Sequence, residues 1–291
     1  LKHWKNLIGN NGIPLKNNNM VLFLYSDKNC EHQAIGCIKS LGKKVEDDVK
    51  IVYYTIGFDS EFEFTNLHKI RIPYKPEYPR FHFYKADLSL LTMNLFPGEY
   101  YAFTDTDVLF SKRFSFDRIK HNNPYPLASY GPHEYPYIWE IVDGNYKIYN
   151  ETKMMNYFNV SQRSQRYVWS CFYSFNSYCT DFFEEYISMC KNQYLQKYPK
   201  EYFPYADETP FNICLWKRGV INNLGFSFVN TNNPEVVRKV ESLKINNSHV
   251  GENIDSHGAD WEYIHNSDDV LLYHGFKNQV DIDAALSFIE N

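Results

Sequence analysis

Two aspartates one residue apart, Asp105-Thr106-Asp107, end the apolar run Tyr100 to Thr104 and are followed at once by Val108-Leu109-Phe110. Carboxylates at that spacing on a tight turn can present oxygens to one hard divalent cation. Mg2+ and Mn2+ favour such ligands, completed by substrate phosphates and water. The competing reading is a solvated turn held by Asx hydrogen bonds. The flanking apolar segments decide against it, because they place the turn at a sheet edge inside the core. A further donor comes from Tyr273-His274-Gly275-Phe276-Lys277. A neutral imidazole can complete a mixed oxygen and nitrogen site. Gly275 would let backbone approach a phosphate, and Lys277 could pair with its charge. A second pair of acids, Asp207-Glu208, precedes Thr209-Pro210. Asp207 reads either as a helix N-cap or as a group that positions substrate. Glu208 reads as a base able to take a proton from a hydroxyl.

These residues need elements to hold them. Met20 to Tyr25 is an unbroken apolar run, as in a strand buried on both faces of a parallel sheet. Residues 30 to 41 carry Ala34, Ile35, Ile38 and Leu41 at helical spacing, with Gly42 as the stop. Val49 to Ile56 is a second buried strand and Lys69 to Ile72 a short third. The opening is therefore β-α-β, which implies a parallel crossover. A proline-punctuated loop, residues 73 to 79, leads to a helix from Arg80 to about Leu95. The strand Tyr100 to Thr104 then delivers Asp105 where ligands bind in open α/β sheets, beyond the carboxyl ends of strands. Residues 130 to 165 read as an elaborated loop region. Beyond them come a strand over Trp169 to Phe175, a helix over Asp181 to Cys190, and a helix from Asp207 to about Lys217 with Pro210 in its first turn. Further strand falls within Val220 to Val229. A strand over Val270 to Tyr273 and a helix over Ile282 to Ile289 close the chain.

The 291 residues suit one large α/β domain with a mainly parallel central sheet flanked by helices. Residues 1–19 read as a polar leader. Residues 20–291 read as the domain itself, in two halves, 20–110 and 111–291. The chain opens at Leu1 without Met, so a trimmed piece of a larger multidomain protein is one expectation. Net charge is -5 with no block of Lys and Arg, which argues against nucleic acid as a partner. No stretch reaches the about 18–20 apolar residues that span a bilayer. The six cysteines form no CxxC pair, and four lie in apolar runs. They read as reduced core thiols of a cytoplasmic chain. Trp139, Trp169 and Trp261 could stack on a sugar but fit packing better. His82 reads as structural, and His265 with Asp268 and Asp269 as a solvated loop.

The order of these features resembles a GT-A-fold glycosyltransferase, most of all the glycogenin and bacterial galactosyltransferase type. The resemblance runs from Met20 to Lys277 and implies a nucleotide-sugar-binding half over residues 20–110 and an acceptor-binding and catalytic half over residues 111–291. It implies transfer of a sugar from a nucleotide-diphosphate donor, commonly a UDP-hexose, to a glycan, protein or small-molecule hydroxyl. It implies Mn2+ (or Mg2+) held by Asp105, Asp107 and His274, with Lys277 on the diphosphate. Tyr25 and Ser26 would meet the nucleotide base, and Lys85 would reach the donor. Asp207-Glu208-Thr209-Pro210-Phe211-Asn212 is similar to the family's Asp-Gln-Asp-x-x-Asn segment at the reaction centre. Glu208 departs from its Gln and Thr209 from its second Asp, and the His274 motif is shorter than the family's. Retention and inversion of the anomeric centre therefore both stay open. The alternatives are a haloacid-dehalogenase-type phosphatase with Asp105 as nucleophile, and a non-catalytic sugar-binding domain. The phosphatase motif normally ends the first strand of its core, whereas two or three strands precede Asp105.

Overall fold

A computed structural model describes residues 20–45, 49–75, 83–130, 139–142, 145–148, 151–161, 164, 167–194, 197–198, 207–224, 227–242 and 270–290. The polar leader, His82, Trp261 and the His265, Asp268 and Asp269 cluster lie outside the described residues, as do the side chain of Trp139 and the first residues of the helix expected from Arg80.

The strands β1 (Met20–Ser26), β2 (Val49–Ile56), β3 (Leu67–Ile72), β4 (Tyr100–Thr104), β6 (Leu127–Tyr130) and β9 (Val168–Asn176) form one sheet in the order β3-β2-β1-β4-β9-β6. β3, β2, β1 and β4 pair in parallel, and β9 runs antiparallel to both β4 and β6. The sheet is thus mainly parallel. Its neighbours explain the unbroken apolar run of β1. Val21, Phe23 and Tyr25 enter one core with α2 (Tyr84–Leu95), α4 (Thr180–Tyr194) and α5 (Glu208–Lys217), through residues such as Leu88, Phe183 and Phe211. Met20, Leu22 and Leu24 enter the other, against Ala34, Cys37 and Ile38 of α1 (Glu31–Leu41). Alternate side chains of the strand thus face alternate cores, which is why Met20 to Tyr25 are apolar without a break. α1 ends at Gly42, whose φ of 49° is a conformation glycine tolerates best.

A smaller sheet, β10-β11-β5, is built from β10 (Ser227–Asn230), β11 (Val270–His274) and β5 (Val108–Phe110). β5 leaves the central sheet directly after Asp107 and pairs antiparallel with β11, Val108 opposite His274. Helices α6 (Pro234–Ser242) and α7 (Gln279–Ile289) cover this sheet through Val237, Val240 and Ile282. α7 also meets α1, where Gly36 leaves just enough room: a Cβ there would come within 2.5 Å of Ile282 Cγ2.

Among its described residues the region 130–165, expected as a loop, carries regular elements. It holds the hairpin β7 (Trp139–Val142) and β8 (Asn145–Ile148), with Val142 opposite Asn145, and the helix α3 (Glu151–Tyr157). Asp143-Gly144 between two short runs is a hairpin signal, obscured in the sequence by the tyrosine- and proline-rich flanks. α6 was also not expected, although Asn233-Pro234 is a helix start. The other expected strands and helices occur, with ends displaced by a few residues. Five of the six cysteines are buried, Cys30 is half-buried, and all are free thiols. Among the described residues no helix is long and apolar enough to cross a membrane.

Candidate functional site

β1 has β2 on one side and β4 on the other, so strand order reverses about β1. That switch point opens a crevice at the carboxyl ends of β1 and β4, where loops leave in opposite directions. Tyr25 and Ser26 end β1 there. The Tyr25 ring stacks on Phe103 at 5.8 Å, and the Ser26 hydroxyl shares a 2.6 Å hydrogen bond with Tyr53.

The turn after β4 is fixed by backbone. The Asp105 N–H donates to the Cys171 carbonyl of β9 at 2.7 Å. The Asp107 carbonyl accepts from the N–H groups of Gly275, at 2.9 Å, and Phe276, at 3.2 Å. Gly275 takes a φ of 117°, which disfavours any side chain. Helix α1 adds a clasp. The Thr106 hydroxyl donates to Gln33 Oε1 at 3.2 Å, the Gln33 amide donates to the Lys277 carbonyl at 3.3 Å, and His32 Nε2 meets that carbonyl at 2.8 Å. The β4–β5 turn and the end of β11 are thereby docked together. One ligand atom each from Asp105, Asp107 and His274 falls within 4.8 Å of the others, with Asp107 Oδ1 3.5 Å from His274 Nε2. Two carboxylates and an imidazole at these separations fit the donor set of a divalent cation. Trp169 packs edge-on against the His274 ring at 5.5 Å, which supports the packing reading of that tryptophan.

Beside the triad lies Lys85 of α2, its side chain only 2% exposed. Its ammonium donates to Asp207 Oδ2 at 2.6 Å and to Ser170 at 3.0 Å, and lies 3.3 Å from Asp105 Oδ1. Burial works against its charge, but Asp105 and Asp207 hold its pKa well above the ordinary lysine value. Asp207 precedes α5 without capping it: its side chain makes no cap hydrogen bond and goes instead to Lys85 and to the Ser170 hydroxyl, at 3.0 Å. Asp207 thus occupies the N-cap position of α5 while its side chain lines the cleft. Asn212, one turn into α5, accepts from the Val168 N–H at 2.8 Å and donates to the Val168 carbonyl at 2.9 Å. It ties α5 to β9 and so fixes where Asp207 and Glu208 stand. Burial raises the Asp105 pKa to about 6 against the pull of Lys85, with Asp107 adding to the rise. Burial and then Asp207 push Glu208 up to about 8.

Together these groups surround a cleft of about 340 Å3. Tyr25, Ser26, Lys85, Asp105, Thr106, Asp107, Asp207, Glu208 and His274, all nominated from sequence, line it. Gly275 and Lys277 do not line it: Gly275 forms the turn docked on Asp107, and Lys277 is exposed with its carbonyl on α1. Sequence reasoning missed Asp27, Cys30, Gln33 and Ser170. The first three follow β1 within one or two turns, which is the signal that could have found them. Ser170 gives none, being one small residue in an apolar strand.

No protein-family model matches the sequence, and no curated protein matches it. Solved structures do. The bifunctional glycosyltransferase WbbM, in apo form, superposes with a TM-score of 0.57 and 13% identity over 96% of this chain and 50% of its own. The galactosyltransferase LgtC, solved with donor and acceptor sugar analogs, superposes with a TM-score of 0.53 and 14% identity over 93% of this chain and 94% of its own. The chain thus spans half the length of WbbM and nearly all of LgtC. At such identities the likeness is one of fold: a mixed α/β architecture shared with glycosyltransferases, of the GT-A type that the order of motifs implies.

Proposed function

We propose that this chain is a metal-dependent glycosyltransferase that moves a sugar, a hexose in the simplest case, from a nucleotide diphosphate such as UDP to a hydroxyl acceptor. One observation carries the reading. Asp105, Asp107 and His274 converge at the switch point of the sheet, in the same cleft as the Lys85–Asp207 pair and Glu208. The likeness to LgtC, which takes donor and acceptor sugar analogs, supports a cleft for two substrates.

Asp105, Asp107 and His274 would hold Mn2+ or Mg2+. When bound there, such an ion neutralises charge on the departing diphosphate. Tyr25 and Ser26 offer an aromatic face and a hydroxyl to the nucleotide base. Lys277 would add positive charge to the diphosphate. The Gly275 backbone keeps that approach clear of side chain. Glu208 would take the proton of the acceptor hydroxyl. Raised to about 8 in the metal-free chain, it is mostly protonated at pH 7, so a base role predicts turnover that rises towards pH 8 and above.

The test is turnover of a panel of nucleotide sugars with Mn2+, with Mg2+ and with chelator. Asp107→Ala should abolish metal-dependent turnover while the protein stays folded; wild-type turnover in that variant would remove the triad from the reaction. A base role for Glu208 predicts product of inverted configuration by NMR. Retained configuration would take that role from Glu208 and leave the triad standing. Phosphate release from a phosphomonoester without sugar nucleotide would favour the phosphatase alternative. The three parallel strands preceding Asp105 in the chain count against it. No transfer or hydrolysis with any donor would favour the non-catalytic alternative.

A further inference from the structure

Five carboxylates open onto this cleft, those of Asp105, Asp107, Asp27, Asp207 and Glu208. Only the first two stand with His274 in the triad. A dication draws in any carboxylate it can reach, and hard cations accept six or more oxygens. What stands between Asp207 and the triad is Lys85. Its ammonium is 2.6 Å from Asp207 Oδ2 and 3.3 Å from Asp105 Oδ1, on a side chain only 2% exposed. It also donates to the Ser170 carbonyl at 3.0 Å and hydroxyl at 3.1 Å, and sits 5.0 Å from the centre of the Phe103 ring. The Ser170 hydroxyl in turn reaches the same Asp207 oxygen at 3.0 Å. An ammonium held on so many sides cannot swing out to a ligand without leaving the buried Asp207 charge uncompensated.

We infer that Lys85 is an internal counter-ion, a positioning residue that keeps Asp207 out of the metal's ligand set and cancels its charge. The role differs from that of a basic arm reaching for the donor, and it rests on the metal reading proposed above. Its consequence is electrostatic. A fixed positive charge beside Asp105 opposes a dication, so the triad binds its ion more weakly than the same acids would without Lys85.

Mn2+ uptake by the full chain, with no donor or acceptor present, tests this by calorimetry, with bound metal counted by elemental analysis. Lys85→Met should tighten binding about tenfold or more, whether it takes one ion or two. Lys85→Arg keeps the charge and should stay near wild type. Asp207→Asn should weaken binding. Lys85→Met/Asp207→Asn removes both charges, leaves no unpaired ion and should return close to wild type. Thermal unfolding checks each variant, and the double variant serves if Lys85→Met does not fold. Unchanged or weaker binding in Lys85→Met, or a double variant that binds no tighter than Asp207→Asn, overturns the inference. If the wild-type chain takes up no Mn2+ that Asp107→Ala removes, the metal reading falls and the inference with it. Normal uptake with an indifferent Lys85→Met sinks the inference alone.

Discussion

Replacing Asn212 asks how much of the site depends on one buried amide. Its side chain accepts the Val168 N–H at 2.8 Å and donates to the Val168 carbonyl at 2.9 Å and the Glu208 carbonyl at 2.9 Å. Asn212 and Val168 are both fully buried. Asn212→Ala strips both polar groups of Val168 of these partners, and a buried group left unpaired costs about 1–3 kcal/mol. The Glu208 carbonyl keeps the hydrogen-bond pattern of the helix, so its loss adds little. Two groups at that cost sum to about 2–6 kcal/mol before the small cavity adds to it. Asn212→Leu keeps the volume, so what it still loses is the polar share. Urea unfolding followed by circular dichroism measures both, and the midpoint should fall with the slope unchanged. Because α5 begins with Asp207 and Glu208, turnover should fall more than metal uptake, whose ligands lie on other elements. An Asn212→Leu variant that loses less than about 1 kcal/mol would refute the reasoning: Val168 would then not depend on this amide, and α5 would be placed by packing alone.

Two further outcomes follow from the geometry. In the metal-free chain Glu208 is raised from 4.5 to about 8 and Asp105 from 3.8 to about 6. The folded state therefore holds protons that the unfolded state releases, and stability should fall as pH rises from about 4 to about 8. Glu208→Gln should remove the upper part of that fall, stabilising the chain at pH 8.5 relative to wild type and little at pH 4.5; equal unfolding free energies at pH 8.5 would contradict the raised value. Gly36→Ala would put a Cβ 2.5 Å from Ile282 Cγ2 and should cost about 1–3 kcal/mol by overpacking. Ile282→Ala in the same chain should relieve the clash between α1 and α7, and an additive double variant would disprove the contact.

Much of this was readable in the sequence because local pattern and tertiary role agree. The apolar run of β1, the strand before Asp105 and the turn after β11 each announce themselves, and they carry the triad. Lys85 shows the limit. A lysine amid Tyr84, Ala86 and Leu88 can be placed on a helix, but that its partner is Asp207 depends on how α2, β9 and α5 meet. Asp207 itself offers the same letters to a cap and to an ion pair, and only the position of Lys85 separates them. Ser170 carries no local signal, since its hydroxyl matters through two residues remote in the chain. The β7–β8 hairpin had a turn signal at Asp143-Gly144 but strands too short to stand out from their flanks.

The docking of Gly275 and Phe276 on the Asp107 carbonyl has a consequence for how such a site can change over generations. Placement is set by main chain, through two N–H groups and one oxygen, and the side chains of Asp107 and His274 take no part in those bonds. Chemical identity and spatial address are therefore separately inherited. A lineage could lose or exchange a ligand and keep the crevice in register, so inactive or altered descendants of this scaffold should remain well folded. Gly275, not the acids, is the residue whose replacement should scatter the arrangement.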